Sequence, residues 1–240
     1  MTNFSPPVPE TMSIESAPQV PWTVRDAWIG FALFFIMLVG FGLLRHTFEK
    51  SWMLSLWLLV YQPLQFIPIW VILRRRKATW TDLGFRTAQP NVLALGCGFV
   101  ILGFGVNFIN NIVMILLKVP IQAEKFFGLI SNLDSPATLL ITGIFIAPLF
   151  EETVFRGFLF PGLRQKYGWK SAALISSAIF GFCHFQLAAF IPTFVLGLVF
   201  SYLYQRSSSI WPGIILHTLV NAFGLCLLVI LAQHGGSLNL

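Results

Sequence analysis

Two adjacent glutamates inside an apolar stretch are the clearest chemical signal in this sequence of 240 residues. Glu151 and Glu152 lie in the run IAPLFEETVFRGFLF, and Arg156 follows four residues after the second of them. No other two of the nine acidic residues are neighbours in the sequence. Because a carboxylate near the centre of a bilayer costs about 2.5–3.5 kcal/mol on insertion scales, we expect this pair to belong to a reaction centre.

The spacing inside this motif predicts different surroundings for its two carboxylates. Successive helix residues are separated by about 100° around the axis, so Glu151 and Glu152 are expected to point in different directions. Glu152 precedes Arg156 by four residues, which is the favourable order for an ion pair on a helix. We expect that ion pair to hold Glu152 in place, and Glu151 to face a cavity where it can accept a proton from water.

Two further motifs put polar side chains into apolar helices. The run FGFCH ends at His184, and the run HTLVN places His217 and Asn221 four residues apart on one helix face. Each can be purely structural when taken singly, because buried histidines and asparagines often bond to neighbouring helices and the Glu152–Arg156 pair can be an internal strut. Taken together, these side chains indicate a buried polar cluster of the kind that marks a pathway or a reaction centre.

The composition predicts that a bundle of membrane-spanning helices holds these motifs. Hydrophobic residues make up 56% of the chain and charged residues 10%, and the mean hydropathy is +0.78. Soluble domains carry about 25% charged residues, and membrane β-barrels need short alternating segments in place of these long apolar runs. We therefore predict an all-α, polytopic transmembrane bundle. The net charge of +6 comes from basic residues in short loops beside the spans, so it indicates topology and no nucleic-acid partner.

Hydropathy predicts about seven spans, with the motifs on the fourth, fifth and seventh of them. The proline-rich residues 1–24 are predicted to be a disordered tail, residues 25–231 the membrane domain, and residues 232–240 a C-terminal tail. Three asparagines of the third span are expected to face other helices; they are Asn107, Asn110 and Asn111. The predicted spans are about Trp28–Leu44, Trp52–Leu73, Val92–Leu117, Ala137–Phe160, Ser171–Leu187, Phe190–Tyr204 and Ile210–Leu231.

The basic residues predict the orientation of the bundle. With the N-terminus in the cytoplasm, ten basic residues outside the acidic motif fall on the cytoplasmic side and four on the other side. In this arrangement Glu151 lies near the cytoplasmic end of the fourth span, so the reactive groups are expected in the cytoplasmic half. No CxxC spacing is present, and free thiols are predicted for all three cysteines, Cys97, Cys183 and Cys226.

The three motifs EETVFR, FGFCH and HTLVN, in this order, resemble those of the CPBP intramembrane proteases. These are the CAAX-processing and bacteriocin-processing enzymes, or Abi family, related to the Rce-type prenyl proteases. The run LGFR, residues 83–86, also resembles a feature upstream of their catalytic core, which corresponds here to residues 137–231. The resemblance implies an endopeptidase that cleaves a membrane-associated protein or peptide, with a membrane-anchored substrate and the lipid bilayer as its partners.

The resemblance also implies a role for each polar residue. Glu151 would be the general base that activates a water molecule, and His184 would position or polarise that water. His217 and Asn221 would donate hydrogen bonds to the developing oxyanion. Glu152 and Arg156 would support the site, or Arg156 would meet an anionic part of the substrate.

The sequence leaves two interpretations of metal dependence open. The zincin motif HExxH is absent, so we prefer a metal-free glutamate mechanism and expect no cofactor. Glutamate and histidine are also ordinary zinc ligands, and a catalytic zinc needs three of them plus water. The alternative is therefore a zinc-dependent protease whose metal is held by Glu151, His184 and His217.

Two interpretations without proteolysis also stay open. The first is a non-catalytic membrane scaffold or immunity protein of the same fold, because a fold does not guarantee its chemistry. The second is a small proton-coupled transporter with the glutamate pair as a relay, which the lack of an internal repeat disfavours. Other intramembrane proteases fit less well, because neither a GxGD motif nor a rhomboid-like GxSG motif is present.

Overall fold

The described part of the chain is helical throughout its regular structure. The computed structural model describes residues 18–44, 47, 50–130, 133 and 135–233, and these contain no β-strand. The predicted all-α class is confirmed. The helices are α1 (Val24–Leu44), α2 (Ser51–Arg75), α3 (Pro90–Leu116), α4 (Gln122–Ile130), α5 (Pro136–Ile141), α6 (Ala147–Glu152), α7 (Phe160–Phe182), α8 (Leu187–Ser207) and α9 (Trp211–Gln233), with π-helical segments at Thr142–Ile146 and Thr153–Leu159.

Six segments of the described chain are long and apolar enough to cross a membrane, and the protein is an integral, multi-pass membrane protein. One of the six, Pro136–Phe182, has 47 residues, about 70 Å of helix against a hydrocarbon core of about 30 Å. Gly168 breaks this segment with φ 72° and ψ 164°. The chain folds back there, since Phe155 and Phe180 pack with ring centroids 5.0 Å apart. The segment therefore makes two crossings, which agrees with about seven predicted spans.

The predicted bounds of the fourth and fifth spans were wrong. The fourth span was expected to end near Phe160, but its helix continues to the break at Gly168. The fifth was expected to reach Leu187, but α7 ends at Phe182 and residues 183–186 turn into α8. The reason is that apolar residues continue through both turns, so hydropathy does not mark where the chain reverses.

One end of the bundle gathers most of the positive charge, and we call it the basic end. Arg76 at the end of α2 forms an ion pair with Asp26 at the start of α1, with 2.8 Å between nitrogen and oxygen. The hydroxyl of Ser209 donates to the carbonyl oxygen of Arg86, which ties the turn before α9 to the loop after α2. The basic end carries Arg25, Arg74, Arg75, Arg76, Lys77, Arg86, Arg164, Lys166, Lys170 and Arg206.

Residues near the predicted end of the N-terminal tail pack against the bundle. Trp22 is fully buried, stacks on Phe158 at 5.4 Å, and donates its indole N–H to the Phe158 carbonyl oxygen at 3.0 Å. The carbonyl of Pro18 accepts a hydrogen bond from Arg164. Packing of this kind places residues 18–23 with the membrane domain. Residues 1–17 and 234–240, which include most of the two predicted tails, lie outside the described residues.

The LGFR loop is part of the packed basic end. Leu83 is buried, and its carbonyl oxygen lies so close to Gly157 that a Cβ at that position would come within 2.9 Å of it. Gly84 has φ +92°, a conformation that favours glycine, and its carbonyl accepts from the amide of Ile210 at 2.9 Å. The loop therefore braces both the second π-helical segment and the start of α9, which carry the polar motifs.

Candidate active site

A cavity of about 610 Å³ lies inside the bundle, and each of the helices α1 to α9 contributes to its lining. This volume is in the ordinary range for ligand sites in proteins. The four residues predicted to be catalytic all line it: Glu151, His184, His217 and Asn221. Their elements lie far apart in the sequence, so only the helix packing brings these side chains to one space.

Glu152 forms the centre of a buried ionic network. It is fully buried, and its Oε1 accepts from Nη1 of Arg156 at 2.9 Å and from Nδ1 of His217 at 3.1 Å. The predicted Glu152–Arg156 ion pair is therefore present. The Arg156 guanidinium is 1% exposed and lies over the ring of Phe180 at 4.4 Å. An arginine so enclosed does not line the cavity, so its geometry favours the internal strut over contact with a substrate.

Glu151 has a different environment from its neighbour. Its side chain is 25% exposed and lines the cavity, and its Oε2 lies 3.8 Å from Nε2 of His217. The two glutamates therefore reach opposite nitrogens of one imidazole, although they were expected to point apart. Because Nδ1–H of His217 donates to Glu152, only the Nε2 side of the ring faces Glu151 and the cavity.

His184 lies at the turn between α7 and α8 and faces the same cavity. Its Nδ1 is 2.8 Å from the carbonyl oxygen of Phe180, and since a carbonyl can only accept, Nδ1 carries the proton. The ring of Phe180 stands edge-on to both imidazoles, with centroids 4.9 Å from His184 and 5.9 Å from His217. One phenylalanine ring thus spaces the two histidines around the cavity.

Asn221 is held by an irregular stretch of backbone. Its amide Nδ2 donates to the carbonyl oxygen of Gly143 at 2.8 Å. Gly143 lies in the first π-helical segment, where the hydrogen bonds run from residue i+5 to residue i. The residue in that register is Pro148, which has no N–H to give. Asn221 replaces the missing donor, and this contact fixes its side chain in the wall of the cavity.

The three asparagines of α3 have separate roles. Asn110 is buried and donates to the carbonyl oxygen of Ala188 at 2.7 Å, as expected for a contact between helices. Asn107 and Asn111 line the cavity. The expectation that all three face other helices is therefore confirmed for Asn110, while the other two add polar groups to the site.

Close helix packing at Gly213 is a feature that the motif search missed. A Cβ at Gly213 would lie 2.7 Å from Oε2 of Glu152. Gly213 precedes His217 by four residues, so both face the same side of α9. That spacing can be read in the sequence, but glycine is frequent in membrane-spanning helices, so the spacing alone did not single out this residue.

The described donors do not form a ready-made zinc site. Among the residues that the structure describes, no three His, Cys, Asp or Glu side chains converge so that they could hold a metal ion. Both histidines use Nδ1 for protein contacts, to Glu152 and to the Phe180 carbonyl, and these contacts are compatible with either a metal or a water molecule at Nε2. The reaction that we propose uses no metal, and the independence of activity from metal stays a prediction. The three cysteines are free, as expected.

Glu151 lies farther from the basic end than its predicted span implied. Glu151 lies 17 residues before the break at Gly168, or about 25 Å of helix, because its span is longer than predicted. The cavity extends from Glu151 toward α4, where Phe126 and Leu129 line it. We call this opposite end of the bundle the α4 end. None of the ten basic residues of the basic end lines the cavity.

Comparison with known proteins agrees with the arrangement of the motifs. Residues 133–223 match the family described as type II CAAX prenyl endopeptidase Rce1-like, and they include all four predicted catalytic residues. This segment is therefore similar to the Rce1-like family, and we call it the Rce1-like segment. The Rce1-like segment runs from the loop before α5 into α9, so it contains the glutamate pair, both histidines and Asn221.

Several curated proteins are similar to part of the chain. It is 29% identical over 126 residues to "Putative membrane peptidase YdiL" of Bacillus subtilis (strain 168), and the match covers 52% of each chain. It is 31% identical over 111 residues to "UPF0177 protein YxdF" of Lactococcus lactis subsp. lactis (strain IL1403), covering 46% of this chain and 52% of that one. The chain thus spans about half the length of these relatives. No solved structure matches it.

Proposed function

We propose that the protein is an intramembrane endopeptidase that hydrolyses a peptide bond of a membrane-associated protein or peptide with a water molecule activated by glutamate. The observation that carries the proposal is the convergence of Glu151, His184, His217 and Asn221 on one cavity within the bundle. Similarity of the Rce1-like segment to a family described as endopeptidases supports it.

In the proposed reaction Glu151 is the general base. Its carboxylate accepts a proton from water while the water oxygen attacks the scissile carbonyl carbon. His184, whose Nδ1–H is held by the Phe180 carbonyl, accepts a hydrogen bond from that water at Nε2 and orients it. The tetrahedral intermediate then collapses, the C–N bond breaks, and Glu151 returns its proton to the leaving nitrogen.

His217 and Asn221 are the proposed donors to the oxyanion. Nδ1–H of His217 donates to Glu152, so His217 can serve as an oxyanion donor only as the imidazolium, whose second proton, on Nε2, points into the cavity. Asn221 uses one amide N–H for Gly143 and keeps the second for the intermediate. Two such donors fixed in a site of low dielectric stabilise the developing charge, since neither has to reorganise when the charge forms.

The Glu152–Arg156 pair is proposed to position His217. A buried carboxylate without a partner would be costly, and Arg156 compensates it at 2.9 Å. Glu152 can then accept from the imidazole without being drawn toward Glu151. Neither residue needs to touch the substrate in this mechanism.

A loss-of-base variant tests the proposal directly. Membrane proteins of cells with the wild-type protein should contain new N-termini that are absent in cells with Glu151→Gln, with a rate loss of about 10²–10⁴-fold for the purified variant. The measurement is mass spectrometry of protein N-termini. Glu124→Gln, which changes an exposed acid of α4 outside the cavity lining, is the control and should cleave like wild type. Identical termini with wild type and Glu151→Gln would instead indicate a non-catalytic scaffold.

We also propose that the basic end faces the cytoplasm, so that the cavity extends toward the opposite side of the membrane. The ten basic residues of the basic end support this orientation. In a variant without the three native cysteines, a maleimide that cannot cross the membrane should label Lys118→Cys from outside the cell and leave Lys77→Cys unlabelled. The reverse pattern would show that the bundle is inverted.

A further inference from the structure

Two glutamines of α2 line the cavity, and each has a buried amide atom without a hydrogen-bond partner among the described residues. Gln62 and Gln65 are 5% and 3% exposed, and both line the cavity. Nε2 of Gln62 donates to the hydroxyl oxygen of Tyr61 at 2.9 Å, which leaves its Oε1 unpaired. Nε2 of Gln65 is likewise unpaired in the described part of the chain. The wall of the cavity formed by α2 therefore holds one unpaired acceptor and one unpaired donor, which a turn of either side chain would present to the cavity.

Such groups are costly in an apolar bundle. Buried side-chain amides are nearly always hydrogen-bonded, because an unpaired one loses its interactions with water and gains nothing in return. A leucine at either position would fill a similar volume without that loss. The two amides therefore point to a polar partner that enters the cavity from outside the chain.

The two amides line the same cavity as the reacting groups. Gln62 and Gln65 are three residues apart and so share one face of α2. Phe66, the next residue, packs edge-on against Phe150 with ring centroids 5.8 Å apart, and Phe150 directly precedes Glu151. The glutamines thus share the cavity with the proposed general base, on the wall formed by α2.

We propose that Gln62 and Gln65 bind the main chain of the substrate beside the scissile bond. An extended peptide displays N–H and C=O groups along one edge, as in the recognition of added strands. Oε1 of Gln62 would accept from one N–H, and Nε2 of Gln65 would donate to one C=O. The substrate class is then an unfolded, apolar segment of a polypeptide, recognised by its backbone. This inference rests on the proposed function and extends it.

The test measures binding and needs no cleavage. In the Glu151→Gln background, a fluorescent end-capped peptide of alternating leucine and alanine is titrated with protein in detergent, and its anisotropy gives Kd. Gln62→Leu and Gln65→Leu should each raise Kd about 3–10-fold, the effect of one net hydrogen bond. Gln205→Leu is the matched control, because Gln205 is 4% exposed and accepts from Arg164 at the basic end. The Kd of the Gln205→Leu variant should equal that of the Glu151→Gln parent.

Thermal unfolding of the same variants supplies an independent readout. Removing an unpaired buried amide should raise the melting temperature of Gln65→Leu, while removing a paired one should lower that of Gln205→Leu. A purely structural role for Gln65 predicts a fall in both variants.

A peptide with N-methylated backbone amides isolates the N–H contact of Gln62. The Glu151→Gln parent with and without Gln62→Leu should bind this peptide equally, because it cannot donate to Oε1. Equal affinity of all variants for the unmodified peptide, or no binding by the Glu151→Gln parent, would overturn the inference. Binding with the expected ratios but no cleavage by the wild type would leave this inference standing and reject the proteolytic function alone.

Discussion

The basic end of the bundle is closed by apolar packing and hydrogen bonds, whereas the half toward the α4 end encloses a cavity with unpaired polar atoms. Trp22, Phe158 and Phe160 at the basic end are all fully buried. In the other half Glu151 keeps a quarter of its side chain exposed, and the cavity holds the amides of Gln62 and Gln65. The Glu152–Arg156 ion pair lies between the two halves.

The residues that stabilise the fold and the residues proposed for the reaction therefore lie in different halves of the bundle. Buried aromatic packing and paired backbone groups favour the folded state, whereas unpaired polar groups in a cavity cost stability and are useful only toward a ligand. We therefore expect substitutions at the basic end to change stability without changing the reaction. Substitutions at the cavity should change the reaction and leave stability equal or higher, and the network between the halves should affect both.

Loss of Arg156 has the largest expected effect on stability. Arg156→Met leaves the carboxylate of Glu152 buried and uncompensated, so the free energy of unfolding should fall by about 3–5 kcal/mol, and activity should fall with it. Denaturant titration in mixed micelles measures the change. The double variant Arg156→Met with Glu152→Gln removes both charges and should recover most of the stability. An equal loss in single and double variants would mean that the ion pair is not the source.

Asn221→Ala should affect the reaction more than the fold. Loss of one oxyanion donor is expected to lower kcat by about 10²–10³-fold, which corresponds to about 2.7–4 kcal/mol. The measurement is kcat and KM for a peptide that the wild-type protein cleaves. Asn110→Ala, which removes the contact with Ala188, is the control and should lower stability while kcat per folded molecule is unchanged. A normal kcat in Asn221→Ala would mean that Asn221 only stabilises the π-helical segment through its hydrogen bond to Gly143.

Gly213→Ala should disturb the network without changing a polar group. The added Cβ would come within 2.7 Å of Oε2 of Glu152, and overpacking of this kind costs about 1–3 kcal/mol. Displacement of Glu152 should also reduce kcat, because Glu152 holds His217. Gly105→Ala is the matched control, since open space surrounds its Cβ position. If both variants behave like wild type, Glu152 has room to move and its position is not critical.

Trp22→Phe has the smallest expected effect and tests the basic end by itself. It removes the indole donor to the Phe158 carbonyl and keeps most of the aromatic packing, so stability should fall by about 1 kcal/mol. Because Trp22 lies at the basic end, kcat per folded molecule should equal that of wild type. A change in kcat would show that the two halves are coupled more closely than their packing indicates.

Particular parts of this architecture follow from the sequence alone. The all-α class follows from long apolar runs, and the pairing of Glu152 with Arg156 follows from a spacing of four on a helix. The three motifs are each local in the sequence, so the family could be named before any contact was known. These features depend on residues within about one turn of a helix, where the geometry of the backbone already determines which side chains meet.

Which side chains of those motifs meet in space depends on the tertiary structure. Only the packing of α9 against α6 brings both glutamates to opposite nitrogens of His217, and only the fold-back at Gly168 brings His184 to the same cavity. The position of the cavity toward the α4 end and the unpaired state of Gln62 and Gln65 also lie beyond the sequence. The physical reason is that each depends on which helices touch, and many packings satisfy the same hydropathy pattern because the lipid-facing and buried surfaces of these helices are both apolar.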